Sequence, residues 1–526
     1  VDVLGRIFER SITDIEEIKA KSLDEHARSL ADRRRKPGRR KEQGVYYTAD
    51  YIVNYLVGAA LDPLWEQKRS DLTAEHGVDP DGTDLPSGRF LRAMLAWLDA
   101  VTLCDPACGS GAFLIAAYDW FLSHRLSLLD DLSHVEPGAE ACAGGRDDWI
   151  ERSAPLILQN NLFGVDISPE SVEIAQLSLW IRTARPGQLL TDLSAHIRCG
   201  NSVVDDPAVD SKAFDWKTQF PHVFERGGFD AVVGNPPYVR QELLSPTKPY
   251  FQEHYQAYHG MADLYVYFYE RGVQILRPGG RLAFVVTNKW MKAGYAEPLR
   301  RFFGEKTWVE QVVDFGHAKQ FFKDADVFPS FLVVRKPDDG PVQHDANVCV
   351  IPRDMVRIDQ LSSQVKSGSL KIELSQLTGD AWSLESSEGR ELFKRVRDRG
   401  MPLKDVLGKS PLMGIKTGFN KAFLIDTATR QGLTSADPAC ASVIQPYVRG
   451  QDIERWHTVW DGLWMIALKS SGDHAWPWSS ERDTESAEGI FRQTYPSLYA
   501  RLKPMQEALM MRQDKGRFWW ELRACA

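Results

Sequence analysis

The chain has 526 residues, of which 43% are hydrophobic and 26% charged, with a formal net charge of −8. At roughly 100–200 residues per domain, that length gives room for two to four domains and at least one large core. The composition excludes a collagen-like fibre, disorder along the whole length and a disulfide-built miniprotein, and the negative charge excludes a generally basic, histone-like binding protein.

Residues 1–43 read as a charged amphipathic helix followed by a basic linker, with seven Arg or Lys among the nine residues from Arg33 to Lys41. Such a run is either a solvated hinge or a contact to phosphate backbone. The opening VDVLGRIFERSITDIEE has no signal-peptide core, and no run approaches the ~18 apolar residues of a membrane helix. The seven cysteines (Cys104, Cys108, Cys142, Cys199, Cys349, Cys440, Cys525) stand singly, without a CxxC pair. That usage fits reduced thiols in a cytoplasm better than a secreted framework or a zinc site. None of the 12 histidines falls in a metal-ligand spacing, so no metal is expected.

A second helix is predicted from about Asp50, where YIVNYLVGAAL has helical apolar spacing. From Val101 onward, strands and helices alternate. Short β-branched runs occur at Val101–Cys104, Leu162–Asp166, His196–Cys199, Phe229–Gly234, Arg281–Thr287, Val309–Asp314 and Phe331–Arg335. Helical stretches lie between several of them, at Ala112–Leu129, Pro169–Thr183, Ala262–Leu276 and Ala293–Phe303. That order predicts an α/β fold with a largely parallel sheet covered on both faces, its ligands at the carboxyl ends of the strands. A polar, irregular stretch from Lys336 to about Asp380 reads as a linker before a new domain. From Arg390 on, 21 Lys+Arg face 16 Asp+Glu, a balance of +5 that leaves −13 for the residues before it. The same stretch holds 7 of the 16 tryptophans, a pattern of DNA contact or of a solvated, Trp-cored domain.

Four strand ends carry residues suited to chemistry. Asp105-Pro-Ala107-Cys-Gly109-Ser-Gly111 follows one strand and opens a helix, where glycines admit close approach to free N–H groups. Its acidic residue disfavours phosphate and suits hydroxyls or a positive charge; packing alone is the other reading of the glycines. Asp166-Ile167 ends the next strand, where a carboxylate accepts from ribose hydroxyls or caps the following helix. Asn201-Ser202 follows the third strand, either meeting an adenine edge or forming an ordinary turn. At Asn235-Pro236-Pro237-Tyr238 a buried strand runs into two prolines, which stiffen the backbone and remove two N–H donors. An amide oxygen and a main-chain carbonyl there match the two hydrogens of an exocyclic amino group, with the Tyr238 face ready to stack on a base.

The set resembles the gamma-class N6-adenine DNA methyltransferases, with motif X at Gly44-Val-Tyr-Tyr47-Thr48, motif I at Asp105–Phe113, motif II at Asp166, motif III at Asn201 and motif IV at Asn235–Tyr238. Ala49 stands where that family carries a proline. Phe322-Lys-Asp-Ala-Asp-Val327 resembles motif VIII, whose aromatic stacks on the target base, with Phe328 as a rival to Phe322. The C-terminal segments around Tyr495–Lys503 and Lys515–Arg523, and the opening residues, resemble the corresponding parts of type IIG restriction-modification enzymes. In those enzymes both ends continue further, so the chain is expected to be a piece of a longer protein, and any DNA-cleaving domain or subunit is expected outside it.

The resemblance implies a Rossmann-like S-adenosylmethionine-dependent methyltransferase fold with a mostly parallel seven-stranded sheet. It also implies a C-terminal target-recognition domain, expected to be incomplete here because the family's members continue further. The expected boundaries are 1–43, the catalytic domain 44–337, a linker 338–380 and the recognition domain 381–526. The cofactor would lie across Tyr47, Thr48, Asp105, Ala107, Gly109, Gly111, Asp166, Ile167, Asn201 and Ser202. Double-stranded DNA would be the partner, contacted by Lys416, Lys421, Arg449 and Arg455, and the protein would act in a restriction-modification or phage-defence system. An RNA adenine, a protein glutamine amide and a catalytically silent recognition subunit are the competing readings.

Overall fold

Side chains on neighbouring positions of a strand point to opposite faces of a sheet, so a strand buried on both faces reads as one continuous apolar run. The central strands of this chain do so. Ala231, Val233, Ala283, Val285, Phe331 and Val333 enter one core, while Val232, Leu282, Phe284, Val286, Leu332 and Val334 enter another. The computed structural model describes residues 48–76, 86–185, 190–316, 328–352, 361–385, 387–408, 415, 417–512 and 514–523. The expected N-terminal helix and basic linker, together with Tyr47, Phe322 and Lys416, lie outside the described residues. The chain divides into two compact units, Val1–Arg390 and Glu391–Ala526.

The first unit is built on a nine-stranded sheet comprising β1 (Leu103–Asp105), β2 (Leu162–Asp166), β3 (Ile197–Cys199), β4 (Phe229–Gly234), β5 (Leu276–Thr287), β6 (Trp308–Asp314), β7 (Pro329–Arg335), β8 (Asp345–Val350) and β9 (Leu370–Glu373). The spatial order is β3-β2-β1-β4-β5-β7-β6-β8-β9. Strands β3 to β5 of that order run parallel, and β7 is antiparallel to both β5 and β6. This is the Rossmann-like methyltransferase arrangement the resemblance implies. The helices α1 (Asp50–His76), α2 (Gly88–Leu98), α3 (Ala112–Val135), α4 (Arg146–Asn160) and α5 (Pro169–Thr183) contribute to one core. The other face is covered by α6 (Tyr265–Ile275) and α7 (Glu297–Lys306).

The sheet differs from the expected seven strands by two, and both fall in the stretch read as a linker. β8 pairs parallel with β6, and β9 pairs antiparallel with β8. The reason is visible in the burial: Ala346, Val348 and Cys349 are buried amid exposed neighbours. An edge strand with polar residues between its core contacts looks irregular to a reading that seeks unbroken apolar runs.

The chain steps outward from β1 to β2 to β3, then returns to place β4 on the other side of β1. The crevice outside the carboxyl ends of β1 and β4 is therefore the switch point where ligands of such sheets bind. Asp105 and Asn235 stand at those two ends.

The second unit has a small antiparallel sheet, β10 (Leu424–Ile425), β11 (Ile444–Pro446) and β14 (Trp464–Ile466), and a separate hairpin, β12 (Ile453–Glu454) and β13 (His457–Thr458). Much of its aromatic enrichment goes into the core, where Trp520 stacks on Phe491 at 4.9 Å and on Phe518 at 5.0 Å. Two buried charged side chains organise the core. Glu521 accepts from Trp478 Nε1, from the Ser471 hydroxyl and N–H, and from Phe518 N. Arg512 donates to the carbonyls of Leu509, Thr417, Trp519 and Glu521 and lies 4.6 Å over the Phe423 ring. Burial pulls its pKa down to about 10. Arg512→Met leaves these carbonyls without their donor. A loss of about 3 kcal/mol or more is expected, seen as a lower melting temperature of the second unit with the first unit unchanged.

Candidate active site

The site is assembled by four strand ends. Asp105, at the end of β1, is 1% exposed, and its Oδ1 accepts from Ala107 N at 3.0 Å. No other hydrogen bond reaches this carboxylate from a described residue. Burial, opposed by that N–H and reinforced by the nearby negative Asp166, pushes its pKa up to about 8. Among the described residues, no cationic side chain pairs with this buried carboxyl group. β4 makes room for it: a Cβ at Gly234 would lie 2.8 Å from Asp105 Oδ1.

Asp166, at the end of β2, fastens the loop after β1. Its Oδ2 accepts from Gly109 N at 2.9 Å, and its Oδ1 accepts from Ser168 N, also at 2.9 Å. Burial raises its pKa, with the two N–H groups and Lys212 pulling it back. Gly111 has φ 88°, the left-handed region, and opens α3 where a Cβ would press on Ala175 at 3.2 Å. Both carboxylate and loop therefore stand where the sequence places them. Ile167 is exposed beside them.

The loop after β3 turns partly inward. Asn201 donates to Asp210 at 2.6 Å and accepts from Val203 N at 3.2 Å. Ser202 is buried and donates to the Pro106 carbonyl at 2.5 Å, which ties this loop to the one after β1. Sequence reasoning missed Asp210 and Lys212; Lys212 Nζ donates to the Ile167 carbonyl at 2.8 Å. Neither carries a motif signal, because each acts on main chain or on a neighbouring loop.

Asn235 follows β4 directly. Its Nδ2 donates to Thr48 Oγ1 at 2.9 Å, and its Oδ1 accepts from the Tyr238 hydroxyl at 3.0 Å. The Tyr238 ring stands edge-on to Tyr265, centroids 6.3 Å apart. Thr48, expected among the cofactor contacts, accepts through its hydroxyl from the Asn235 amide.

In the second unit, Arg449 is engaged by its neighbours. It makes a two-pronged pair with Asp452 at 2.9 and 3.0 Å, closing the turn before β12. Arg455 lies over Trp456 at 5.6 Å, at the tip of the β12–β13 hairpin. Trp456 is 90% exposed and has φ 75°. Lys421 is exposed near the start of a short helix, Asn420–Phe423. Among the described residues, no cluster of His, Cys, Asp or Glu could hold a metal ion, and no helix is long and apolar enough to cross a membrane.

Comparison with known proteins gives the relatives of the chain. Residues 160–322 match the model of the Eco57I restriction-modification methylase family. The type II methyltransferase M.PaeR7I of Pseudomonas aeruginosa is 32% identical over 211 residues, 38% of this chain and 36% of that protein. The type II restriction enzyme and methyltransferase RM.Eco57I of Escherichia coli is 25% identical over 342 residues, 61% of this chain and 32% of that protein. The chain thus spans only about a third of the length of these two relatives. Among solved structures, the type IIL restriction-modification enzyme MmeI in complex with DNA shares the fold at a TM-score of 0.56 and 16% identity, covering 90% of this chain and 55% of that one. The matched segment, residues 160–322, contains the Asp166 and Asn235 strand ends and is similar to the Eco57I restriction-modification methylase family.

Proposed function

We propose that the protein is a site-specific DNA methyltransferase that moves a methyl group from S-adenosylmethionine to the N6 amino group of adenine in duplex DNA. The observation that carries this reading is the side-chain amide of Asn235 at the switch point, one strand from the buried carboxyl group of Asp105. The donor set fits the cofactor. Asp105 would take the methionine ammonium and Asp166 the ribose hydroxyls. The carbonyl oxygen of Asn201 keeps a lone pair for the adenine amino group. When bound, S-adenosylmethionine supplies an electrophilic methyl group on its sulfonium.

The protein's own residues do the rest by orientation and polarisation. An adenine amino nitrogen is a poor nucleophile because its lone pair is delocalised into the ring. Asn235 Oδ1 and the Pro236 carbonyl would accept its two hydrogens and draw the lone pair toward the methyl carbon. Pro236 and Pro237 hold that main chain stiff. A duplex hides the target, so the base must be flipped out at a cost of a few kcal/mol. Stacking on Tyr238, with Phe322 as the second aromatic by resemblance, offsets about 1–3 kcal/mol per partner. The second unit is the proposed reader of DNA sequence, with Arg455, Lys421 and Lys416 as contacts, and Arg449 as the residue that shapes the hairpin loop.

The test is to express the chain in a bacterial host free of DNA methylation and to sequence the genome natively. Modified adenine confined to one short motif is the expected result. Modified cytosine, or methyl label found only in RNA or in protein, would overturn the reading.

A further inference from the structure

A primary amide has two orientations 180° apart that fill nearly the same space, and its terminal torsion is broad and roughly two-fold. For Asn235 the two are chemically opposite. One presents an oxygen to an incoming amino group, whereas the other presents an NH2 and repels it. Packing cannot choose between them, because oxygen and NH2 are almost the same size. Hydrogen bonds must choose.

The structure has two hydroxyls on this amide, one on each end. Thr48 Oγ1 accepts from Nδ2 at 2.9 Å, and the Tyr238 hydroxyl donates to Oδ1 at 3.0 Å. The two hydroxyls are not equivalent. A phenol, with pKa about 10, is the stronger donor, and its oxygen lone pair is partly withdrawn into the ring, which makes it the weaker acceptor. An aliphatic hydroxyl is the better acceptor of the two. The pairing of phenol with carbonyl oxygen and of alcohol with NH2 is therefore favoured over the flipped one. Thr48 is 6% exposed, so water does not readily take its place. A carbonyl oxygen has two lone pairs, and Tyr238 uses one, which leaves the second for the substrate.

We infer that Thr48 is a positioning residue for methyl transfer: its hydroxyl holds the Asn235 amide with the oxygen turned toward the target amino group. The inference rests on the adenine-methylation reading above. It differs from a cofactor contact, which is what the sequence resemblance implies for Thr48. It also explains why a residue at the entrance to α1 meets a strand end 187 positions later. Without the hydroxyl, Tyr238 alone biases the amide, the flipped orientation gains population and a larger fraction of bound complexes is unproductive.

The test uses the full chain, tritiated S-adenosylmethionine and genomic DNA from a host free of methylation. Thr48→Val keeps the shape and removes the hydroxyl, Thr48→Ser keeps the hydroxyl, and Asn235→Ala runs in parallel. Loss of one neutral hydrogen bond corresponds to a fall in kcat of up to about tenfold at saturating cofactor and DNA. The expected result for Thr48→Val is that fall with an unchanged cofactor Kd, and Thr48→Ser restores kcat. A raised cofactor Kd with full kcat at saturation would show Thr48 to be a cofactor contact only and would overturn the inference. Equal impairment of the Ser and Val variants, with lowered melting temperatures, would mark a packing role and overturn it as well. If Asn235→Ala still methylates, the functional reading itself falls; if it is silent while Thr48→Val is fully active, only the present inference falls.

Discussion

Asn235→Ala is expected to lower methyl transfer by at least roughly 10²–10³-fold, the scale seen when one polarising group at a reacting centre is removed. The alanine deletes the oxygen that would accept from the amino nitrogen and leaves the strand that carries it intact. Val232 and Val233 remain buried on both faces of β4, and the prolines that follow do not depend on the amide. Cofactor binding, measured by calorimetry on the purified variant, is expected to stay at the level of the unaltered protein, because Asp105 and Asp166 lie on other strands. Joint loss of binding and transfer would show that Asn235 holds the fold of the site rather than acting in it. Its bonds to Thr48 and Tyr238 make that outcome a real alternative, which is why both quantities must be measured.

The second large effect concerns Asp105. Asp105→Asn removes the buried negative charge proposed to meet the methionine ammonium, and a charge-assisted contact of this kind contributes about 1.5–3 kcal/mol, or roughly 10- to 150-fold in Kd. The pH profile supplies a sharper reading. With its pKa pushed up to about 8, Asp105 is protonated in the free protein at neutral pH. Binding an ammonium there expels that proton, so the cofactor Kd rises by about tenfold for each pH unit below 8. Above ~8 the ligand's own amino group loses its charge, since α-amino groups titrate near 7.7–8.0. Affinity is therefore expected to peak near pH 8 and to fall on both sides. In Asp105→Asn the acid limb disappears and the basic limb stays. An acid limb that survives in the variant would assign it to another group.

Folding stability follows with the opposite trend. A carboxyl whose folded pKa lies above its ordinary 3.8 keeps a proton that the unfolded chain has released. Between about pH 4 and 8 this group makes the cofactor-free protein less stable as pH rises.

The sheet was largely legible before the structure. All seven sequence-read strands recur, with Leu162–Asp166 and Phe229–Gly234 at the same limits. Continuous apolar runs are the mark of strands buried on both faces, and they survive without any knowledge of partners. β8 and β9 escaped because an edge strand needs few core contacts. In the C-terminal unit, Arg449 was legible as a basic residue near a loop, but its capture by Asp452 three positions on was not. A basic side chain in sequence carries no sign of whether an acid already holds it.

By itself, the sequence determined the chemistry at each strand end: two carboxylates, a glycine-bearing turn and an Asn-Pro-Pro-Tyr corner, each set by local residue type. Only the tertiary structure decided which of them meet. Strand order brings β4 beside β1, so that Gly234 leaves space for the Asp105 carboxylate. The entrance to α1 likewise delivers Thr48 to Asn235 across 187 positions. Spacing along a chain encodes periodicity over one or two turns of structure. Contacts at long range are set by how the layers pack, and the orientation of an amide is set by which hydroxyls arrive at its two ends.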